Sequence, residues 1–344
     1  MNDINTQILL KSRPDGDVSL ENFEMRQVEL PQVTDGKVLI RNIYLSVDPY
    51  MRGRMNEGKS YFRPFQLDEV LQGGVIGEVV ESRLGGYEPG DVVQGMLGWE
   101  NYSLSDGEGL KNLGKGVEHL TDYMDVLGMI GATAYVGLVG IAGLREGESV
   151  FVSAAAGAVG NAVVQIAKIF NCRVYGCAGS DEKVDYLLNE LGLDGAFNYK
   201  TCDSISSALE AMCPQGIDVN FENVGGRIME GVIRHMNEKG RIALCGVISN
   251  YNEPDMRSGG SHVPCGLSTA ALMLFITRQI KMHGFLVTDY PDTCREFAEK
   301  APGWMKSGRL TSRVCVTDGI ENAPSAFLGL FAGENIGKQL VKLT

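Results

Sequence analysis

Cysteine and histidine are missing from the positions where a metal site or a disulfide framework would need them. All eight cysteines lie after position 170, none of them in a Cys-x-x-Cys pair, and the whole chain has four histidines. This distribution excludes a small disulfide-dense fold. It predicts free thiols and therefore a reducing, intracellular environment.

Excess positive charge and long apolar runs are also absent. Lys and Arg number 31 against 43 Asp and Glu, which gives a formal net charge of −12. So acidic a surface is a poor partner for nucleic acid or an anionic membrane. No apolar run reaches the length of a membrane span, and the first residues carry neither the basic nor the apolar region of a secretion signal. We therefore expect a cytoplasmic protein with neither nucleic acid nor membrane as a partner.

The chain instead contains two regions that differ in the spacing of their apolar residues. Up to about position 120, short alternating apolar runs between turn signals such as Pro89-Gly90-Asp91 predict a mostly β region. From about Thr121 strand and helix patterns alternate, which predicts a doubly wound parallel sheet covered on both faces. Its strands are predicted to begin near Ser149, Arg173, Gly195, Ile217, Arg241 and Lys281. Residues 251–266 are predicted as a long irregular connection or a lid.

The pattern Ala155-x-Gly157-x-x-Gly160 follows the first of these strands and opens a helix. It resembles the dinucleotide fingerprint with its first glycine replaced by alanine. Gly157 would let the backbone approach a pyrophosphate, and Gly160 would let helix and strand pack closely. The sequence therefore predicts a dinucleotide site at this turn.

The end of the second strand bears on which dinucleotide is bound. Ala178-Gly179-Ser180 lacks the acid that an NAD enzyme uses for the ribose, and small residues leave room for a 2′-phosphate. Lys183 could supply charge to that phosphate or could be an ordinary solvated lysine. Asp181 could serve an NAD ribose or simply stabilise the first helical turn.

Several ordered motifs are spread over essentially the whole chain. They are Val47-Asp-Pro-Tyr-Met-Arg, Ala154-Ala-Ala-Gly-Ala-Val-Gly, Gly179-Ser-Asp-Glu-Lys, Phe197-Asn-Tyr-Lys, Glu222-Asn-Val-Gly-Gly, Cys245-Gly-Val-Ile-Ser-Asn-Tyr-Asn and Glu334-Asn-Ile-Gly-Lys. Together they resemble the motifs of the zinc-independent medium-chain dehydrogenases/reductases, in the branch of leukotriene B4 dehydrogenases, prostaglandin reductases, 2-alkenal reductases and bacterial curcumin reductases.

The resemblance implies an α/β fold of two domains. A GroES-like, mostly β substrate domain would span 1–122 and a Rossmann NADPH-binding domain 123–300, and 301–344 would rejoin the first domain. It also implies a homodimer and the cofactor NADPH, with Lys183 and Tyr199 at the 2′-phosphate. The implied cofactor contacts are Gly157, Ala158, Val159, Gly160, Lys183, Tyr199, Asn223, Cys245, Gly246, Ile248, Ser249, Tyr251, Phe285, Leu286, Val287 and Asn335.

Zinc ligands are missing where the zinc-dependent members of the superfamily carry them. The first 120 residues hold no cysteine and one histidine, His119, and the chain reads Gln72-Gly73-Gly74-Val75 where those members have Gly-His-Glu. A catalytic zinc needs three well-placed protein ligands and an open position. We therefore expect chemistry without a metal.

Without a metal, NADPH could reduce the double bond of an enone or enal, the small-molecule substrate that the resemblance implies. Charge then develops on the carbonyl oxygen, which needs a hydrogen-bond donor. Tyr251 matches the tyrosine that the family assigns to this role, and Tyr50 could line the same cleft or donate. Arg52 and Arg54 could attract an acidic substrate tail or lie in solvent or ion pairs. A quinone reductase and a non-catalytic NADPH-binding sensor are the alternative functions.

Overall fold

The computed structural model describes residues 4–58, 62–252 and 267–343. From position 253 onward, the irregular segment predicted at 251–266 therefore lies outside the described residues. No helix among those that the structure describes is long and apolar enough to cross a membrane.

The strands and α-helices are numbered in chain order. The strands are β1 Ile4–Leu10, β2 Phe23–Glu29, β3 Val38–Ser46, β4 Gln72–Ser82, β5 Val92–Gly98, β6 Tyr102–Ser105, β7 Lys111–Gly114, β8 Ser149–Val152, β9 Arg173–Ala178, β10 Gly195–Asn198, β11 Ile217–Glu222, β12 Met236–Leu244, β13 Lys281–Gly284, β14 Val314–Asp318 and β15 Lys338–Lys342. The α-helices are α1 Met51–Arg54, α2 Leu120–Met124, α3 Met129–Tyr135, α4 Ala158–Ile169, α5 Asp181–Asn189, α6 Ile205–Met212, α7 Gly226–His235, α8 Thr269–Thr277, α9 Pro291–Lys306 and α10 Ala323–Ala332.

Seven strands form a mixed sheet. Its order is β14-β15-β3-β4-β5-β7, with β6 paired to β3, while β1 and β2 form a separate antiparallel pair. The short alternating runs of the first 120 residues do form strands, which confirms the mostly β prediction for this region. The last strand, β15, pairs antiparallel with β3, so the chain end returns to the sheet that the N-terminal region began.

Six strands form the parallel sheet, in the order β10-β9-β8-β11-β12-β13. All five neighbouring pairs are parallel. Each predicted strand is present, and the doubly wound α/β fold class is confirmed. Its core is made of completely buried aliphatic and aromatic side chains such as Val150, Val152 and Phe221, because strands covered on both faces exclude water.

Apolar residues recur at helical spacing from Tyr123 to Leu144, but the structure interrupts this helix. The structure has α2, a break at Asp125–Gly128, α3, and then a π-helical turn at Val136–Ile141. Glycine is required at position 128, the last residue of the break, because a Cβ there would collide with the Tyr123 carbonyl. The boundaries expected at 122/123 and 300/301 fall inside α2 and α9, and α9 continues to Lys306.

Candidate active site

The glycine loop between β8 and α4 is built on close backbone contacts. Gly157 is the extended residue before α4, and its N–H donates to the Ala154 carbonyl at 2.9 Å. A Cβ on Gly160 would lie 2.8 Å from Ala155 Cα and would press on the Ala154 carbonyl, so only glycine fits there. Residues 158–160 form the first turn of α4, whose N–H groups lack helical acceptors. The loop is therefore a cradle of the kind that a pyrophosphate requires.

The segment before β15 lies along this loop. The Gly337 N–H donates to the Ala156 carbonyl at 2.8 Å, and Gly337 forms a parallel bridge with Gly157. Asn335 donates its side-chain amide to the Gly337 carbonyl at 2.7 Å. The structure thus brings Asn335, 178 positions further along the chain than Gly157, to the same loop.

Lys338 ties this contact to the turn that carries Tyr50. Its ammonium is 2.7 Å from Asp48 Oδ1 and donates to the Val47 carbonyl at 3.1 Å. Lys338 is 2% exposed and the Asp48 side chain 19%, so the ammonium is buried and its carboxylate partner is mostly buried. Asp48 is also a turn residue, since its carbonyl accepts the Met51 N–H at 3.1 Å. The sequence did not indicate the ion pair.

The corner at the end of β9 contains Lys183 and Tyr199. Ser180 caps α5 by accepting the Lys183 N–H at 3.3 Å. The Lys183 ammonium donates to the Gly333 carbonyl at 2.7 Å, and burial lowers the pKa of Lys183. A Cβ on Gly179 would lie 2.8 Å from the Tyr199 hydroxyl oxygen, so the phenol lies over this glycine. The structure therefore brings the two residues implied for the 2′-phosphate to one end of the parallel sheet.

Asp181, the alternative that would indicate NAD, has a side-chain partner of its own. Its carboxylate accepts the Asn198 side-chain amide at 2.8 Å. Asn198 closes β10, so this bond holds Asp181 toward the edge strand of the sheet. The contact favours a role for Asp181 in stabilising the first turn of α5 over a role in binding a ribose.

Glu222, at the end of β11, is a buried carboxylate that sequence reasoning missed. Its Oε1 accepts the Ser153 hydroxyl at 2.7 Å and the N–H groups of Val224 and Gly225 at 2.8 and 2.9 Å. Asn223 donates its side-chain amide to the Ser153 carbonyl at 2.8 Å. Glu222 therefore fixes the loop on which Asn223 lies. An acid at the end of a mostly buried strand was the available signal.

The segment after β12 is held against the same loop. The N–H groups of Cys245 and Gly246 donate to the Glu222 carbonyl at 2.9 and 3.1 Å. Ile248 and Ser249, in the following 3₁₀ turn, each donate a backbone N–H to the loop after β11 at 3.1 Å. Burial raises the pKa of Cys245 to about 12, so its thiol stays protonated, as expected of a packing residue.

Tyr251 follows this turn, with its hydroxyl directed back at the end of β12. A Cβ on Gly246 would lie 3.2 Å from the Tyr251 hydroxyl oxygen. Burial raises the pKa of Tyr251, an effect that the backbone of Val247 partly offsets. The hydroxyl is therefore protonated at neutral pH and can donate a hydrogen bond.

Tyr50 lies in the turn before α1, in contact with a buried arginine. Its ring stacks on Phe62 with 5.1 Å between centroids. Its hydroxyl bonds the Arg54 guanidinium. Burial lowers the pKa of Arg54, and the contact with Tyr50 offsets part of that lowering. A guanidinium has no acceptor, so the Tyr50 oxygen accepts in this contact.

Arg52 and Arg54 are not solvated, contrary to one of the expectations for them. They are 1% and 7% exposed, because both side chains fold back into the protein. Arg52 donates to the Gly16 carbonyl at 2.8 Å, and the Arg54 guanidinium carbon lies 4.0 Å from the centre of the Phe65 ring.

Two contacts bring the Tyr50 and Tyr251 segments to the same part of the molecule. Asn252, next to Tyr251, donates to Asp17 at 2.9 Å. The adjacent Gly16 accepts from Arg52, two positions after Tyr50. The loop between β1 and β2 thus connects the two predicted catalytic segments.

Phe285, Leu286 and Val287 follow the edge strand β13. Phe285 packs edge-on against Phe221 with 6.3 Å between ring centroids. A Cβ on Gly137 would lie 2.9 Å from Phe285 Cζ, so the π-helical turn approaches this ring closely. Phe285 is thus partly a core residue, whereas Leu286 is 37% exposed.

Asp125, at the break before α3, is a buried acid linked to the segment before β14. Its Oδ2 accepts the Ser312 hydroxyl at 2.8 Å and the Arg313 N–H at 3.1 Å. Burial nevertheless raises the pKa of Asp125 from 3.8 to about 6. The folded state therefore favours the protonated carboxyl, and this contribution to stability, present below about pH 4, is lost as the pH rises through 6.

As the pH rises from 4 to 7, we expect the wild type to lose stability that the Asp125→Asn variant keeps, so that its unfolding free energy falls relative to that of the variant. The fall should approach about 3 kcal/mol, since about two pKa units at ~1.4 kcal/mol each are involved. Urea unfolding at several pH values measures the difference. A difference that stays constant over this range would contradict the assignment.

The family comparisons agree with this architecture. Residues 6–113 match the model described as the N-terminal domain of oxidoreductase, and residues 158–301 match the model described as zinc-binding dehydrogenase. The chain is 38% identical to the NADPH-dependent curcumin reductase of Escherichia coli, over 98% of this chain and 97% of that protein. It is 41% identical to the NADP(+)-dependent 2-alkenal reductase of Nicotiana tabacum, over 99% and 98%. The chain belongs to the zinc-independent medium-chain dehydrogenases/reductases.

The likeness to this family extends to solved structures. A crystal structure of CurA from Vibrio vulnificus in complex with NADPH superposes with a TM-score of 0.91. It is 41% identical and covers 98% of this chain and 99% of its own. In the part of this chain that the structure describes, no group of three or more His, Cys, Asp or Glu could hold a metal ion.

Proposed function

We propose that the protein reduces the carbon–carbon double bond of α,β-unsaturated ketones and aldehydes. It is an NADP-dependent oxidoreductase that acts on carbon–carbon double bonds, and its cofactor is NADPH. The observation that carries the proposal is the protonated Tyr251 hydroxyl, which lies over Gly246 at the end of β12. In a doubly wound sheet, ligands bind at the carboxyl ends of the strands.

The residues present fit NADPH. Gly160 lets α4 pack closely on the loop, since a Cβ there would collide with the backbone of Ala154 and Ala155. The N–H groups of residues 158–160, in the first turn of α4, lack helical acceptors and can donate to phosphate oxygens. We assign the pyrophosphate to residues 157–160, the 2′-phosphate to Lys183 and Tyr199, and the nicotinamide half to Asn223, Cys245–Tyr251, Phe285–Val287 and Asn335. When bound, NADPH supplies the hydride that adds to the β-carbon of the substrate.

Tyr251 is assigned to the carbonyl oxygen of the substrate. As negative charge develops there, the hydroxyl donates a hydrogen bond that strengthens in the transition state. Its raised pKa keeps the proton on the phenol throughout the neutral range. Tyr50 is assigned to the opposite side of the cleft. Because Arg54 donates to the Tyr50 oxygen, the phenol can pass its own proton toward the substrate.

A panel of linear enones, enals and benzoquinones tests the proposed substrate class. We expect NADPH oxidation with the enones and enals, including curcumin-type diarylheptanoids, and saturated carbonyl products. Oxidation with the quinones alone would replace the proposal by a quinone reductase.

Replacing Lys183 with alanine tests the cofactor assignment. We expect NADPH affinity to fall roughly ten- to a hundredfold, since one charge-assisted contact contributes ~1.5–3 kcal/mol. NADH affinity should change much less, because NADH lacks the phosphate. Fluorescence titration of both nucleotides measures the difference. Equal losses would exclude Lys183 from the 2′-phosphate.

The exposed edge of the parallel sheet supports a homodimer. All four residues of β13 are exposed, and Met282 within it is 40% exposed. Beside it, α8 presents Leu272, Met273 and Ile276 at 51%, 50% and 70% exposure. An unprotected edge strand next to apolar side chains is a surface that a second copy can cover across a two-fold axis.

Light scattering at micromolar concentration tests this assembly. We expect a mass twice that of one chain, and a monomer when Ile276 is replaced by glutamate, because burying that charge would be unfavourable. A wild-type mass equal to one chain would contradict the dimer.

We assign the protein to the cytoplasm. Seven cysteines among the described residues are free thiols, which reducing compartments maintain.

A further inference from the structure

Three cationic side chains lie at the corner of the parallel sheet that contains Tyr199. Lys183 lies in the first turn of α5, Lys200 follows Tyr199 in the chain, and Arg227 lies in the first turn of α7. They come from three different parts of the parallel-sheet region. The fold therefore gathers positive charge at one corner of a protein whose net charge is −12.

The contacts place two of these cations at the same strand end as the Tyr199 phenol. Arg227 Nη2 donates to the Tyr199 carbonyl at 2.9 Å. A Cβ on Gly179 would lie 2.8 Å from the Tyr199 hydroxyl oxygen and 3.3 Å from Lys200 Cε. The phenol and the Lys200 side chain therefore flank Gly179, where the small residues of the β9 end leave space.

The charges of this corner are not balanced within the protein. Lys183, Lys200 and Arg227 form no ion pair with another described residue, whereas Lys168 and Arg241 in the same region each pair with an acid. Burial and, after it, the charge of Lys200 lower the pKa of Lys183, and Cys315 and Glu182 offset only part of this. Like charges held close together without counter-ions are unfavourable, and a bound anion relieves that repulsion.

We propose that Lys200 and Arg227 complete an anion pocket with Lys183 and Tyr199 and set the preference of the protein for NADPH over NADH. The inference rests on the proposed placement of the 2′-phosphate at Lys183. A phosphate monoester carries a charge of about −1.5 to −2 near neutral pH, whereas NADH presents a neutral hydroxyl at that position. Cations from three parts of the fold therefore discriminate between the two nucleotides by charge.

The test uses adenosine 2′,5′-bisphosphate and AMP as binding probes, because they differ only in the 2′-phosphate. Isothermal titration calorimetry gives their affinities for Lys200→Met, Arg227→Met and the double variant. We expect each single change to weaken the bisphosphate about fivefold, as for a partly exposed charge contact, and the double change to weaken it further. AMP affinity should be unchanged, and the losses should shrink at high salt.

Lys111→Met, in β7 of the mixed sheet, is the matched control, since it removes the same charge far from this corner. A similar loss in that variant would assign the effect to net charge and overturn the inference. Equal weakening of both probes would also overturn it, as it would indicate a disturbed adenosine site. If Lys183→Ala alone weakens the bisphosphate, the inference fails and the Lys183 assignment stands. If Lys183→Ala has no effect either, the proposed phosphate placement itself fails.

Discussion

Replacing Tyr251 with phenylalanine is expected to lower kcat for a simple enone by ~10²–10³, the usual effect of removing one donor to a developing oxyanion. The change keeps the ring and removes only the hydroxyl that lies over Gly246. Because the ring packing is retained, NADPH affinity should be preserved. Steady-state kinetics on one enone, with NADPH binding measured separately, provide both values.

Two further variants decide how this result is read. Tyr50→Phe reports on the opposite side of the cleft, and Tyr102→Phe, in β6, is the control for the loss of a tyrosine hydroxyl elsewhere. An unchanged kcat in Tyr251→Phe would move the donor role to Tyr50 or to a ribose hydroxyl of the cofactor. A loss confined to KM would mean that Tyr251 binds the ground and transition states equally.

Replacing Lys338 with methionine is expected to lower the unfolding free energy by about 3–5 kcal/mol, as for a broken buried ion pair. Lys338 is 2% exposed and its ammonium lies 2.7 Å from Asp48 Oδ1, so the change leaves that carboxylate without its counter-charge. Urea unfolding followed by circular dichroism measures the loss.

The double variant with Asp48→Asn is the control for Lys338→Met. An amide at position 48 carries no charge, so part of the lost stability should return. A loss below about 1 kcal/mol in the single variant would mean that the pair contributes no more than an exposed one.

Local signals in the sequence predicted most of the fold. Most strands of the parallel sheet contain a short apolar run beside a turn or a helix start, and each predicted strand is present in the structure. The glycine loop was predictable for the same reason, because Gly157 and Gly160 occupy a strand–turn–helix context. The helix break at Asp125–Gly128 was not predictable, since apolar periodicity continues through it. The partner that holds the Asp125 carboxylate there, Ser312, lies 187 positions away in the chain.

The parts of the candidate site that consist of residues close together in the chain were predictable. The contacts between residues far apart in the chain were not. The Lys338–Asp48 pair joins residues 290 positions apart, and Arg227 reaches the Tyr199 carbonyl from another helix. Glu222 bonds Ser153 across the sheet, 69 positions away. No spacing rule encodes such contacts, because they depend on the order of the strands in the sheet.

The proposed reaction is tested most directly by following the transferred hydrogen. The protein is incubated with an enone and with NADPH that carries deuterium on one face or the other of nicotinamide carbon 4, in separate reactions. NMR then locates the deuterium in the product. The account predicts a saturated ketone with one deuterium on the carbon β to the carbonyl, from one of the two labelled cofactors. Deuterium on the carbonyl carbon of an allylic alcohol, with the double bond intact, would contradict it.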